Sequence, residues 1–74
     1  MKAISVKTAN GSSFWILGFD DVDQFGEALY AVMRKCPIGF PAFVTFDILD
    51  LDGRSTVLLD VKSIQSAYLI EMED

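Results

Sequence analysis

The stretch Asp47-Ile48-Leu49-Asp50-Leu51-Asp52-Gly53-Arg54-Ser55 decides how the second half of the chain folds, because it reads either as a calcium loop or as the tip of a β-hairpin. An EF-hand loop needs oxygen ligands at its positions 1, 3 and 5, glycine at 6 and a bidentate glutamate at 12. With Gly53 at position 6, Asp50 and Asp52 fall correctly at 3 and 5, but Ile48 stands at 1 and Leu59 at 12. Both end ligands are missing. The hairpin accounts for more residues. With Asp52-Gly53 as the centre of a type I′ turn, Ile48 faces Val57, Phe46 faces Leu59 and Val44 faces Val61, so that six apolar side chains share one face. A slip of one residue would scatter them over both faces. The stretch is therefore read as a structural turn with no metal site.

Working outward, the same logic applies at Asn10-Gly11, a dipeptide that tolerates positive φ at both positions. Folding the chain there sets Val6 opposite Trp15 and Ile4 opposite Leu17, which puts these four on a core face. Phe14 and Ile16 then fall on the other face, either as a contact surface or beneath the helix or the last strand. Between the hairpins, Asp20 and Asp21 precede an apolar stripe of Val22, Phe25, Leu29, Val32, Met33 and Cys36 at helical spacing. Asp21 and Gln24 have capping-box spacing, and Pro37 ends the helix near Lys35 or Cys36. Gly26 inside this helix costs about 1 kcal/mol relative to alanine, which suggests close packing of another element against it. In the connector Pro37-Ile38-Gly39-Phe40-Pro41, Ile38 and Phe40 are expected to close one end of the core or to join an oligomer surface.

After Val61 a short turn leads into a strand over 65–72, with Tyr68, Ile70 and Met72 on one side and Ala67 and Leu69 on the other. Apolar residues on both sides point to a strand covered on both faces, or to an edge sealed by a neighbouring subunit. The fold class that follows is α+β: a single domain over residues 1–74 in which one helix packs on a curved antiparallel sheet, in the order β-β-α-β-β-β. Residues 42–72 resemble the last strands of a small open barrel of the Sm-like type, without the basic surface by which such barrels hold RNA.

Composition narrows the function. The chain has 74 residues, of which 51% are hydrophobic and 12% aromatic, and its mean hydropathy is +0.34. That is more apolar side chain than one small core absorbs, and contiguous surplus surface marks an interface. A symmetric homo-oligomer is the simplest partner. The uncharged runs Thr8–Phe19 and Cys36–Phe46 are too short to span a membrane, and the alternating Met1–Lys7 offers no signal-peptide core. A net charge of −5, all of it carried by residues 38–74, argues against direct nucleic-acid binding. The single cysteine, Cys36, forms no internal disulfide, sits on the apolar stripe and fits a reducing cytoplasm.

Chemistry is sparse. Without histidine, the commonest general base and imidazole metal ligand are missing, and Ser–His or Cys–His nucleophile systems are excluded. In the hairpin read from Asp52-Gly53, Asp47 and Asp60 become diagonal neighbours with Lys62 nearby, a solvated charged face rather than a catalytic pair. No cofactor is called for. The expectation is a non-enzymatic, self-associating cytoplasmic protein that acts by binding another protein, as small bacterial or phage accessory proteins do. Phe14, Ile16, Phe40, Tyr68, Ile70 and Met72 are the candidate oligomer interface. The alternative is an acidic mimic of nucleic acid that inhibits a basic protein through Asp47, Asp50, Asp52 and Asp60, joined by Glu71, Glu73 and Asp74. A third reading places a small-molecule pocket at a subunit junction lined by Trp15 and Tyr30.

Overall fold

A computed structural model describes residues 1–72; Glu73 and Asp74 lie outside the described residues. Five strands and one helix follow in the expected order: β1 (Lys2–Thr8), β2 (Ser13–Ile16), α1 (Val22–Arg34), β3 (Phe43–Asp50), β4 (Gly53–Asp60), a 3-10 turn (Val61–Ser63) and β5 (Ile64–Glu71). The strands form one antiparallel sheet in the order β4-β3-β2-β1-β5, so β2 is central and β4 and β5 are the edges. Only the 3-10 turn joins those two edges. Four inter-strand gaps of about 4.8 Å separate them by roughly 19 Å in a flat sheet, whereas a 3-10 link from Asp60 to Ile64 covers about 8 Å. The sheet must therefore curl enough to bring its two edge strands together at that turn, and the concave side so formed is the core face.

α1 closes that side. Asp21 Oδ1 accepts the Gln24 backbone N–H at 2.7 Å, while Gln24 Oε1 reaches back to the Asp20 N–H at 2.7 Å. This reciprocal cap satisfies donors that would otherwise be unpaired at the helix start. Phe25, the one fully buried helix residue, meets Phe19 edge-on at 5.0 Å and Phe46 at 5.9 Å between ring centroids. Around this trio lie Ile4, Val6, Ile16, Ile48, Leu59 and Val61, with Leu29, Val32 and Cys36 packed against them.

Both hairpins turn one residue earlier than the dipeptide rule implies. A type I′ turn needs positive φ at both central residues, yet among the described residues only glycines have it, Gly11 at +89° and Gly53 at +110°. Ala9-Asn10 and Leu51-Asp52 form the tips instead, and each glycine follows its tip. In the first turn the Gly11 N–H donates to the Thr8 carbonyl at 3.0 Å and the Thr8 N–H to the Ser12 carbonyl at 2.9 Å, and Asn10 Oδ1 accepts the Ser12 N–H. In the second, Asp50 Oδ1 accepts the Asp52 N–H at 2.9 Å. Such side-chain bonds to the backbone hold the turns without a second left-handed residue.

The two shifts differ in consequence. In the first hairpin Val6 pairs with Phe14 and Ile4 with Ile16, a slip of one residue from the expected register. Every side chain of β2 therefore changes face. Ile16 is wholly buried and Phe14 half-buried against the core, while Trp15 is exposed on the convex side, so the assignment of Trp15 and Leu17 to the core face is corrected. In the second hairpin Phe46 pairs with Val57 and Val44 with Leu59, a slip of two. Parity is kept, and the apolar face stands as expected.

Two further expectations are corrected. A Cβ added at Gly26 would meet nothing within 4 Å, so no element packs closely there. Ile38 is fully exposed and Phe40 is 63% exposed; neither closes the core. The connector is held through its backbone instead: Lys62 Nζ donates to the carbonyls of Phe40 at 2.6 Å and Pro37 at 3.2 Å, and Cys36 Sγ lies 3.4 Å from the Pro41 carbonyl.

Candidate functional site

The rolled sheet has a convex face that no element among the described residues covers. One row crosses all five strands there: Arg54 pairs with Leu49, Leu49 with Trp15, Trp15 with Ser5, and Ser5 with Tyr68. One register step along, Ala3 pairs with Ile70. Ala3 and Ser5 alternate with the core residues Ile4 and Val6, so their side chains point to the convex side. Both are nonetheless buried, at 0% and 8% exposure. Directly opposite side chains stand about 5 Å apart, close enough for the larger residues of β2 and β5 to overhang the small ones of β1. The result is a shallow trough, floored by Ala3 and Ser5, with Trp15 (45% exposed) on one wall and Tyr68 (60% exposed) on the other.

Along β5, Tyr68 is flanked on this face by Ile70 and Met72, both half-buried. Three of the six expected interface residues, Tyr68, Ile70 and Met72, are thus brought together. Phe40 is exposed on the connector and belongs to another part of the surface. Ile16 and Phe14 face the core, so Ile16 has no surface to offer a partner; the reading in which these two are covered within the chain is the one that holds. In their place the slip of β2 delivers Trp15, which the dipeptide rule had turned inward. The signal that could have found it is the small-residue alternation of Ala3 and Ser5 between the apolar Ile4 and Val6.

Among the described residues the carboxylates expected to act together are not gathered into one patch. Asp60 pairs with Phe43 at the end of the hairpin opposite to its tip, whereas Asp47 pairs with Thr56, so these two are not diagonal neighbours. Asp60 Oδ1 is occupied structurally: it accepts the N–H groups of Ala42 at 3.0 Å and Lys62 at 3.1 Å, tying β3 to the 3-10 turn. Asp50 and Asp52 flank the fully exposed Leu51 at the tip. Asp50 Oδ2 accepts the Ser55 hydroxyl at 2.6 Å. That bond, followed by the one from the Asp52 N–H, holds the Asp50 carboxyl below its ordinary value. Among the described residues no three of the His, Cys, Asp and Glu side chains are grouped so that they could hold a metal ion.

Two hollows in the surface concern these residues. One, of about 300 Å³, opens between α1 and β3 and is lined by Leu17, Phe19, Leu29, Val32, Val44 and Phe46, with Asp47 as its one ionisable side chain. The other, of about 280 Å³, lies between Trp15, Leu49 and Leu51. Tyr30 lines neither; it is exposed on α1, with the Arg34 guanidinium 5.8 Å from its ring centre. Trp15 and Tyr30 therefore do not converge within one chain. No helix among the described residues is long and apolar enough to cross a membrane.

Comparison with protein-family models, with curated proteins and with solved structures finds no match to this chain.

Proposed function

We propose that this chain is a non-enzymatic cytoplasmic protein that self-associates and acts through protein–protein binding. The observation that carries the reading is the uncovered convex face. A folded monomer of 8.2 kDa exposes roughly 4500 Å² by the usual scaling with mass. This chain exposes 5159 Å², an excess of about 600 Å². Trp15, Phe43, Leu58 and Tyr68, all at least 45% exposed, lie on the convex side. Aromatic anchors beside small, desolvated floor residues are the composition that concentrates binding energy at interfaces.

The test is molar mass by light scattering over a range of concentration and salt. An oligomer that persists as salt is raised, and that dissociates on Ile70→Asp with the far-UV spectrum unchanged, is the expected result. A monomer at every concentration overturns self-association. The acidic-mimic alternative has less support, because Asp60 is committed to backbone donors; it requires partner binding that weakens steeply with salt.

A further inference from the structure

We infer that the second copy docks on the free edge of β5, pairing β5 with its own equivalent across a two-fold axis centred on Leu69; this rests on the self-association proposed above. The backbone of β5 sets the register. Met1 and Met72 exchange both main-chain bonds, at 2.8 and 3.0 Å. In an antiparallel ladder such doubly bonded pairs alternate with unbonded ones. The same holds for Ala3 with Ile70, Ser5 with Tyr68 and Lys7 with Ser66, which turns the N–H and C=O groups of Ala67, Leu69 and Glu71 away from β1, towards the free edge. The ladder shifts by one between Ser66 and Ile64, so regular pairing stops at this irregularity. Three residues are left in phase, and the antiparallel register that uses all of them sets Leu69 opposite Leu69 of the second copy and Ala67 opposite Glu71.

Several features select this occupant. Natural edge strands are guarded by lysine, proline or charge along the strand; from Ser66 to Ile70 β5 has none. On the convex side the register places Tyr68 opposite Ile70 of the second copy and Ser66 opposite Met72, aromatic and aliphatic pairs of the kind that stabilise sheets, with no like charges opposed. Ala67 and Leu69 pack towards the core, so the two concave faces continue as one. The other edge does not fit β5. The Leu17 N–H donates to the Asp47 carbonyl, which fixes the phase of β3 and leaves Arg54, Thr56 and Leu58 as the outward-bonding residues of β4. Their side chains are convex, so pairing them with Ala67 and Leu69 would invert one sheet against the other. Two copies of β4 could pair with matching faces, but Arg54 and Thr56 would flank that seam where β5 has Tyr68 and Ile70.

Proline separates the alternatives, since at an outward-facing N–H it removes no bond within the chain. The wild type should scatter as a dimer, twice the 8.2 kDa chain mass. Ala67→Pro should raise the dimer dissociation constant by about 100-fold with the fold intact by circular dichroism, and Thr56→Pro should leave it unchanged. Tyr68→Lys, at an exposed side chain, should dissociate the dimer as well and replaces Ala67→Pro should that variant unfold. A dimer that survives Ala67→Pro and Tyr68→Lys overturns pairing through β5 while self-association stands; loss on Thr56→Pro alone moves the seam to β4; a monomeric wild type overturns both readings.

Discussion

Gly26→Ala tests the account of α1 most directly. Gly26 lies in the second turn of the helix, is exposed, and has open space where a Cβ would go. Its φ is not in the left-handed region, so alanine introduces neither strain nor collision. What remains is the backbone entropy that glycine loses on entering a helix, about 1 kcal/mol relative to alanine. Alanine should therefore stabilise the protein by about 1 kcal/mol, which in a domain of this size raises Tm by roughly 4–8 °C. The assay is a thermal melt followed by circular dichroism, with chemical denaturation as a check that the m-value is unchanged. Protein concentration must be held fixed, because the melting point of a self-associating chain depends on it. An unchanged or lowered Tm would refute the reasoning, since it would require something packed against position 26. A loss seen only at high concentration would place that something in a second copy.

Asp60→Ala should cost about 1–3 kcal/mol, because it strips the acceptor from the N–H of the buried Ala42; Asp60→Asn, which keeps an acceptor oxygen, should cost clearly less in urea denaturation, and equal losses would assign the effect to charge. Asp21→Ala should cost about 1 kcal/mol through the lost helix cap, read from the same denaturation curves; no loss would show the cap to be idle. Ser55→Ala should move the Asp50 titration upward, followed by the carboxyl carbon shift in NMR, since the Ser55 hydroxyl is the first cause of its lowered value. The sign is fixed: a depressed carboxyl contributes order to the tip that is present above the ordinary carboxylate range and lost as pH falls through its folded value.

The elements were legible because binary pattern carries them. Val44, Phe46 and Ile48 alternate on one strand, Val57, Leu59 and Val61 continue the face, and Phe25, Leu29 and Val32 recur at helical spacing. The turn geometry was not. Asn-Gly and Asp-Gly are compatible both with a two-residue I′ turn and with a tip one residue earlier that ends on the glycine, and the choice depends on whether Asn10 and Asp52 take positive φ. Side-chain bonds from Asn10 and Asp50 decided it. The connector misled for a related reason: Ile38 and Phe40 look like an apolar plug, yet Lys62 grips the backbone carbonyls and leaves the side chains outside.

Whether an error in register damages a functional reading depends on its parity. The slip of two in the second hairpin changed which residues touch but left the core face intact, so inference from that face survived. The slip of one in the first exchanged Phe14 and Ile16 for Trp15 and with it the identity of the exposed surface. The candidate site lies where that exchange has most effect, on the convex side of β2, β1 and β5, because there the chain places large apolar side chains over small ones with no described element to cover them. β5 escaped the error, since its faces were read from its own alternation and needed no partner register. That is why Tyr68, Ile70 and Met72 could be named from sequence while Trp15 could not. β5 thus links the legible part of the chain to the surface on which its association is argued.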